Sequence, residues 1–335
     1  MDIKTDKDCD LSLVQAKRVA ILGYGNQGRA HALNLRDSGV TEIMIGSRGS
    51  AETSRLAKTD DFPILPFASA VKDADIIMML LPDEAHGEVF SAHVAPNIKD
   101  GAAIGFAHGF SIHFNEVKPK DTVDVILVAP KGPGRTLRDL YTQGFGMPSV
   151  VGVQQDATGK ARNLALSYAS AIGSGRAGIL ESSFREECET DLFSEQAILC
   201  GGLPALVKAG YEILIEKGYA PEVAYIECLH EVKQIADLMW EGGLDYKNRV
   251  ISNTAEFGGY QAGERLITPE VRAEMRAILE DVQKGNFAKD VREDHKTGFT
   301  RLKAWRAADA AHDIEESGKK VRGTMPWLKN IGKRS

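Results

Sequence analysis

Short, continuous apolar runs alternate with amphipathic stretches along the first half of the chain. Runs of this length suit strands that are covered on both faces, as in a parallel sheet, because half-exposed strands alternate apolar and polar residues. Six segments have this character: RVAILG, EIMIGS, ADIIMMLLP, AAIGFAHG, VDVILVAP and SVVGVQQD. The pattern therefore predicts an α/β domain built on a doubly wound parallel sheet.

The pattern changes after IGSGRAGILESSF, where apolar positions take on helical spacing and strand-like runs become few. We therefore predict an α/β domain at 1–182, a helical domain at 183–328 and a tail at 329–335. The longest apolar run, around IIMMLL, has the length of a strand, so no membrane span is expected.

Composition and charge narrow the class of protein further. The 335 residues are 43% hydrophobic and 26% charged, which is ordinary for a soluble globular protein, and the net charge of −6 argues against a nucleic-acid partner. The polar N-terminus, MDIKTDKDCDLSL, is unlike a targeting peptide, and the four cysteines lack zinc-like spacing. A reduced, cytoplasmic protein is expected.

A glycine motif lies between the first predicted strand and an amphipathic helix. The segment GYGNQG holds Gly23-x-Gly25-x-x-Gly28, whose glycines would allow a tight turn and close approach of a pyrophosphate to the helix N-terminus. The alternative is a plain glycine-rich turn. We predict a Rossmann-type dinucleotide site whose contacts include the loop residues Gly23, Tyr24, Gly25, Asn26, Gln27 and Gly28.

The end of the second predicted strand bears on the choice between the two nicotinamide dinucleotides. In MIGSRGSAETSR, Arg48 and Ser50 suit the 2′-phosphate of NADPH, whereas Glu52 suits the free ribose hydroxyls of NADH. A carboxylate close to a 2′-phosphate would repel it. Glu52 could equally begin the next helix, where an acidic residue is favoured. The sequence leaves the preference open.

Two pairs of carboxylates at i and i+4 lie in the helical half. Asp191 and Glu195 fall in CETDLFSEQAILCGG, and Glu227 and Glu231 fall in YIECLHEVKQIADLMW. Like charges at this spacing repel each other, but a divalent cation would make the arrangement favourable. A metal site and two solvated acidic helix faces both remain possible from these residues alone.

Seven motifs occur in the order found in ketol-acid reductoisomerase (acetohydroxy-acid isomeroreductase). They are GYGNQG, LLPDE, FAHGF, VAPKGPG, ETDLFSEQAILCGG, YIECLHEVKQI and ISNTAEFGGY. The resemblance runs from about residue 11 to MPWL at 325–328 and matches the short form of the family.

This resemblance implies an enzyme of valine and isoleucine biosynthesis. The family moves an alkyl group of 2-acetolactate or 2-aceto-2-hydroxybutanoate in a Mg²⁺-dependent step, and then reduces the product with NAD(P)H to the 2,3-dihydroxy acid. It also implies a knotted helical domain, and a homodimer or larger homo-oligomer with a shared active site. The alternatives are a metal-independent hydroxy-acid dehydrogenase and a non-catalytic dinucleotide sensor.

Individual site residues follow from the same resemblance. Asp191 would bridge two Mg²⁺ ions and Glu195 would bind one, with Glu227 and Glu231 completing the site from a partner subunit; Glu231 could also move the hydroxyl proton. The remaining matches are catalytic His108 and Lys131, substrate-binding Ser252, and cofactor contacts at Pro82, Asp83, Glu84, Ala85, His86 and Gly134. NADPH is the family default, and Glu52 makes NADH or dual use a live hypothesis.

Overall fold

The computed structural model describes residues 2–49 and 51–328, without the side chain of Ala51. Ser50 and the predicted tail at 329–335 lie outside the described residues. The chain divides into two compact units, Met1–Thr190 and Asp191–Ser335, and the point of division falls within a helix that spans Phe184–Ser194.

The first unit is built on one sheet, which has nine strands in the described part of the chain. The strands are β1 (Ile3–Lys4), β2 (Arg18–Leu22), β3 (Glu42–Gly46), β4 (Ile64–Leu65), β5 (Ile76–Met79), β6 (Ala103–Phe106), β7 (Asp124–Pro130), β8 (Ser149–Gln155) and β9 (Ile179–Ser182). Their order across the sheet is β1-β9-β8-β7-β6-β5-β2-β3-β4. All six predicted strands are confirmed. The short strands β1, β4 and β9 were not predicted.

The sheet is mixed, and here the prediction of a parallel sheet is wrong in part. Strands β2 to β7 are parallel to one another, but β8 pairs with β7 antiparallel, and β1 pairs with β9 antiparallel. The physical reason is that a continuous apolar run reports burial on both faces, which does not fix strand direction. Strand β7 is buried at every position and has an antiparallel neighbour.

Helices cover both faces of this sheet, which confirms the doubly wound arrangement. They are α1 (Ser12–Gln15), α2 (Asn26–Asp37), α3 (Ala51–Thr59), α4 (Phe67–Lys72), α5 (Asp83–Val89), α6 (Phe110–His113), α7 (Gly134–Thr142), α8 (Ala161–Ala171) and α9 (Phe184–Ser194). Alternate residues of β2 enter opposite cores, with Val19 and Ile21 on one face and Ala20 and Leu22 on the other. Short 3₁₀ turns lie at Asp6–Asp8 and Ser174–Arg176, and a π-helical turn at Phe90–Val94 follows α5.

The second unit is helical throughout its described residues, as predicted. Its helices are α10 (Gly202–Glu216), α11 (Pro221–Tyr225), α12 (Val232–Val250), α13 (Asn253–Leu266), α14 (Pro269–Gln283), α15 (Asn286–Lys296), α16 (Thr300–Ala310) and α17 (Asp313–Gly323), with a 3₁₀ turn at Pro326–Leu328. π-Helical turns lie at Glu195–Leu199 and Ile226–His230. A small buried core consists of Tyr211, Ala224, Tyr225, Ile314 and Val321.

One helical stretch, Phe184–Glu216, is long and apolar enough to cross a membrane by length and composition alone. It has 33 residues, and almost none of its most apolar 18-residue window is buried. The sequence expectation considered continuous apolar runs, whereas this stretch gathers several short runs over α9, a π-helical turn and α10. A single such helix is weak evidence for a membrane protein.

Candidate active site

The order of the strands locates a crevice at one edge of the sheet. From β2 the chain proceeds outward through β3 and β4, whereas from β5 it proceeds in the opposite direction through β6 and β7. The carboxyl ends of β2 and β5 therefore flank the point where the winding reverses, which is where open α/β sheets bind ligands. The loops after β2, β5, β6 and β7 all lie at this edge.

The glycine loop after β2 has the geometry that a pyrophosphate site requires. Gly23 has φ +96°, and a Cβ there would lie 2.6 Å from the carbonyl oxygen of Leu80. A Cβ on Gly28 would lie 2.0 Å from the carbonyl oxygen of Gly23. Gly25 caps helix α2, whose first turn begins at Asn26 and presents its N–H groups to the crevice edge. The loop fits a dinucleotide.

A second loop, after β7, packs directly against the glycine loop. A Cβ on Gly134 would lie 2.2 Å from the carbonyl oxygen of Asn26, so no other residue fits there without backbone movement. Gln27 Nε2 donates to the carbonyl oxygen of Gly132 at 2.9 Å. Gly134 thus has a packing reason to be glycine, beside the predicted contact with cofactor.

The side chain of Tyr24 anchors the glycine loop to the end of α3. Its hydroxyl donates to Asp60 at 2.9 Å, and Arg29 donates to both oxygens of the same carboxylate at 2.7 and 3.0 Å. Burial raises the pKa of Asp60, but hydrogen bonds and charge from Arg29 and Tyr24 outweigh it and hold the pKa below the ordinary 3.8. Burial likewise raises the pKa of Tyr24 far above its usual range. Tyr24 therefore stabilises the conformation of the glycine loop through Asp60.

The residues that bear on cofactor choice lie after β3. Arg48 and Glu52 are both exposed, and Glu52 lies in the first turn of α3. Ser47 Oγ accepts the N–H of Gly49, which has φ +85° and turns the chain toward the helix. Both charged groups are accessible to a ribose or its phosphate.

A buried glutamate joins the two predicted catalytic residues of the first unit. Glu187 has a side chain only 1% exposed. Its Oε1 accepts from Lys131 Nζ at 2.5 Å, and its Oε2 accepts from His108 Nδ1 at 3.1 Å and from the backbone N–H of Gly109 at 2.6 Å. His108 and Lys131 follow β6 and β7, so the predicted pair lies together at the carboxyl edge.

Glu187 was missed at the level of sequence, although a signal was present. It precedes Asp191 by four residues, just as Asp191 precedes Glu195, so the acidic spacing extends one turn further back than the predicted pair. Burial raises the pKa of Glu187, but His108 and Lys131 more than compensate and hold the pKa below its ordinary value. The carboxylate is therefore ionised, orients His108 through Nδ1, and keeps the Lys131 ammonium at the crevice edge.

The four predicted metal ligands lie at or beside π-helical turns in the second unit. Asp191 lies in the last turn of α9, Glu195 opens one π-helical turn, Glu227 lies within the other, and Glu231 directly follows it. π-Turns are frequent at functional sites. Among the described residues, no three of these four carboxylates approach within 4.8 Å of one another.

The remaining predicted residues differ in how accessible they are. Pro82 is exposed and Asp83, Glu84 and Ala85 are half-buried at the start of α5. His86 is buried, with one ring nitrogen 2.7 Å from Ser111 Oγ and the other 3.0 Å from the carbonyl oxygen of Leu81. Ser252 is exposed and caps α13 by accepting the N–H of Ala255 at 3.2 Å.

These features define a class, the dinucleotide-dependent α/β enzymes, and the matches with known proteins define the family. The family model of the acetohydroxy acid isomeroreductase NADPH-binding domain matches residues 13–178, and that of the ketol-acid reductoisomerase C-terminal domain matches residues 184–327. A solved NADH-preferring ketol-acid reductoisomerase from an uncultured archaean is 42% identical. The match covers 97% of this chain and 100% of that one, with a TM-score of 0.94.

The chain therefore belongs to the ketol-acid reductoisomerase family, and it is an NAD(P)H-dependent oxidoreductase with that activity. A putative oxidoreductase from Jannaschia sp. is similar at 14% identity and a TM-score of 0.61, covering 79% of this chain and 97% of that one. A semialdehyde dehydrogenase NAD-binding protein from Cupriavidus necator is similar at 15% identity and a TM-score of 0.60, covering 80% and 99%. Both share only the fold. The alternatives of a hydroxy-acid dehydrogenase and a non-catalytic sensor are not supported.

Replacing Asp60 by Asn tests the anchor of the glycine loop. We expect a loss of about 1–3 kcal/mol in the free energy of unfolding at pH 7, because Arg29 and Tyr24 lose a charged partner. Since the folded pKa of Asp60 lies below 3.8, the wild-type advantage is present above pH 3.8 and is lost as the pH falls through the folded value. Urea unfolding of both proteins between pH 7 and pH 3 measures this difference in the free energy of unfolding.

The matched control is Asp139→Asn, which removes an exposed carboxylate 3.6 Å from Arg135. An exposed pair of this kind contributes about 0–1 kcal/mol, so the control should remain close to wild type. An Asp60→Asn protein as stable as the control at pH 7 would contradict the anchor.

Proposed function

We propose that this chain performs a Mg²⁺-dependent isomerisation of 2-acetolactate or 2-aceto-2-hydroxybutanoate and then reduces the product with NAD(P)H, as a cytoplasmic enzyme of valine and isoleucine biosynthesis. The observation that carries the proposal is the Glu187-centred cluster, which keeps His108 and Lys131 together at the edge where the glycine loop lies. The 42% identity to a reductoisomerase over nearly the full chain supports it.

The acidic residues of the second unit fit Mg²⁺. Carboxylate oxygens are the ligands that this hard cation prefers, and all four side chains are exposed or half-buried, so an ion could reach them. Asp191 and Glu195 would hold the ions from one subunit, and Glu227 and Glu231 from a second. Bound Mg²⁺ would polarise the substrate carbonyl and lower the pKa of the adjacent alcohol.

The chain's own groups supply the remaining chemistry. Glu231 would accept the hydroxyl proton during alkyl migration. Lys131, whose ammonium is held by Glu187 and whose side chain is about one-third exposed, would provide positive charge where the reduced oxygen develops negative charge. His108 is held through Nδ1, which fixes the orientation of its ring and therefore the direction of Nε2. The hydride would come from the nicotinamide.

We propose that a second copy of this chain covers the helical unit. Its helices expose large apolar side chains that a soluble monomer would bury, including Trp240 at 83%, Phe257 at 72% and Leu244 at 67%. The membrane is the rival occupant for the apolar stretch. Helix α10 also carries two charged pairs, which argue against lipid as the occupant: Lys208 with Asp309 at 2.8 Å, and Glu212 with His312 at 3.0 Å. A second copy would also complete the carboxylate quartet.

We infer that NADH is accepted as a cofactor. The relative at 42% identity is described as NADH-preferring, and Glu52 lies exposed in the first turn of α3, where it could bind ribose hydroxyls. Arg48, exposed in the preceding loop, would allow NADPH as well.

The first test follows NADH and NADPH oxidation with 2-acetolactate, with Mg²⁺ or with excess chelator. We expect Mg²⁺-dependent oxidation, and a fall of at least about 100-fold in the Glu231→Gln variant, because a positioned base typically contributes 10²–10⁴-fold. The control Glu274→Gln changes an exposed glutamate of α14 and should retain wild-type rates. Near-wild-type turnover by Glu231→Gln would rule out its role, and chelator-insensitive oxidation would rule out the metal.

Cofactor choice is tested by steady-state kinetics of Arg48→Ala and Glu52→Gln with both cofactors. We expect Arg48→Ala to raise the KM for NADPH about tenfold, since loss of a charge-assisted contact costs about 1.5–3 kcal/mol, and to leave the KM for NADH nearly unchanged. Glu52→Gln should raise the KM for NADH instead. Arg55→Ala removes another exposed arginine of α3 and serves as control. If the KM values for NADH and NADPH are unchanged in every variant, this loop does not determine the cofactor preference.

Assembly is tested by light scattering of the purified protein at several concentrations. We expect a dimer or larger species, which Trp240→Glu shifts toward monomer because a charge would be buried at the interface. Phe145→Glu changes a side chain 60% exposed in the first unit and should leave the mass unchanged. A monomeric wild type would contradict the second copy, and partition into detergent or lipid would favour the membrane.

A further inference from the structure

We propose that His86 is a positioning residue for hydride transfer, because it ties the chain segment after β5 to the loop that carries His108. The inference rests on the proposed function, since it assigns His86 a task in the reduction step. It differs from the sequence expectation, in which residues 82–86 contact the cofactor themselves.

The ring of His86 makes two directed hydrogen bonds inside the protein. It is 3% exposed, with Nδ1 2.7 Å from Ser111 Oγ and Nε2 3.0 Å from the carbonyl oxygen of Leu81. A carbonyl oxygen can only accept, so Nε2 carries the proton. Burial lowers the pKa of His86 against the opposing charge of Asp83, so the ring is neutral and Nδ1 accepts the Ser111 hydroxyl. The tautomer is thereby fixed.

His86 thus bridges Leu81 and Ser111, and the Leu81 end of this bridge lies beside the glycine loop. Leu80 N–H donates to the carbonyl oxygen of Leu22 at 2.9 Å, which extends the pairing of β5 with β2 beyond the strand. A Cβ on Gly23 would lie 2.6 Å from the carbonyl oxygen of Leu80 and 3.0 Å from the backbone nitrogen of Leu81. The Leu80–Leu81 peptide, which directly precedes the Leu81 carbonyl group that His86 binds, thus lies against the first glycine of the dinucleotide loop.

The Ser111 end of the bridge is close in sequence to His108 and Gly109 of the Glu187-centred cluster. Ser111 is fully buried in α6, three residues after His108 and two after Gly109. The backbone N–H of Gly109 donates to Glu187 at 2.6 Å. A shift of Ser111 would therefore move the peptide that fixes the carboxylate of Glu187, and with it the ring of His108.

An apolar side chain at position 86 would not hold the two peptides in a fixed relation, although it could occupy the same space. The ring of His86 packs against Phe106, with centroids 5.8 Å apart, and Leu could keep this apolar contact. Dispersion contacts are non-directional, whereas two hydrogen bonds fix both peptides relative to one ring. Both peptides lie at the carboxyl edge of the sheet beside the winding reversal, where a dinucleotide would bind, so a shift of either would change the approach of hydride donor to acceptor.

Hydride transfer depends steeply on that approach. Reacting atoms need to come within about 3–3.5 Å, and a misplacement of about 1 Å can reduce the rate about 10²-fold. A positioning role therefore predicts a loss in the rate of reduction with little change in cofactor affinity, which a merely stabilising residue would not produce.

The experiment uses His86→Leu, His86→Gln and Ser111→Ala in the full-length protein with Mg²⁺. Gln places an N–H donor near the position of Nε2, so it can still bind Leu81, whereas Leu loses both hydrogen bonds. The single-turnover rate of NADH oxidation is measured with 3-hydroxy-3-methyl-2-oxobutanoate, the already isomerised keto acid, so that alkyl migration does not contribute. Cofactor Kd is measured by titration calorimetry, and folding by thermal melting.

We expect His86→Leu to slow the single turnover at least tenfold with less than a threefold change in cofactor Kd, and His86→Gln to recover most of the rate. Ser111→Ala should slow it to a smaller extent and keeps the test decisive should His86→Leu not fold. Equal rates for wild type and Ser111→Ala, or equal losses in Leu and Gln variants, would overturn the proposal. An inactive wild type would instead show that the proposed function itself is wrong.

Discussion

The ionised carboxylate of Glu187 is the interaction on which the rest of the site depends. Helix α9 brings this one charge to the ends of β6 and β7, where it accepts hydrogen bonds from a lysine, a histidine and a backbone N–H. A buried carboxylate left without such partners would be strongly unfavourable, so the three donors and the acceptor require one another. The close approach of α9 is possible because Gly109 has no side chain: a Cβ there would lie 2.3 Å from the carbonyl oxygen of Phe184.

Much of this arrangement could be predicted because the relevant information is local. Each strand from β2 to β8 that was predicted is a contiguous apolar run, and the glycine loop owes its shape to residues within six positions of one another. His108 and Lys131 could be placed at one edge because each follows a predicted parallel strand. The resemblance to one family added their roles and the metal ligands, which periodicity alone left open.

What could not be predicted depends on contacts distant in sequence. Glu187 binds residues 56 and 79 positions away, and nothing within its own helix marks it as buried. The antiparallel direction of β8 follows from the path of the chain, to which an apolar run is insensitive. The apolar length of Phe184–Glu216 was underestimated because its hydrophobic residues are distributed over two helices and the π-helical turn between them, not over one continuous run.

The two π-helical turns beside the acidic residues have a consequence for how this family can change in length. A π-turn is one residue wider than the α-helical turn it replaces, and each residue of an α-helix rotates the chain by about 100°. Deleting one residue from Glu195–Leu199 or Ile226–His230 would restore a regular helical turn and remove the local widening that positions the acidic residues there, although the helix beyond would keep its bearing. In these two segments the number of residues is therefore as tightly constrained as their chemistry, and homologues should show substitutions there but no gaps.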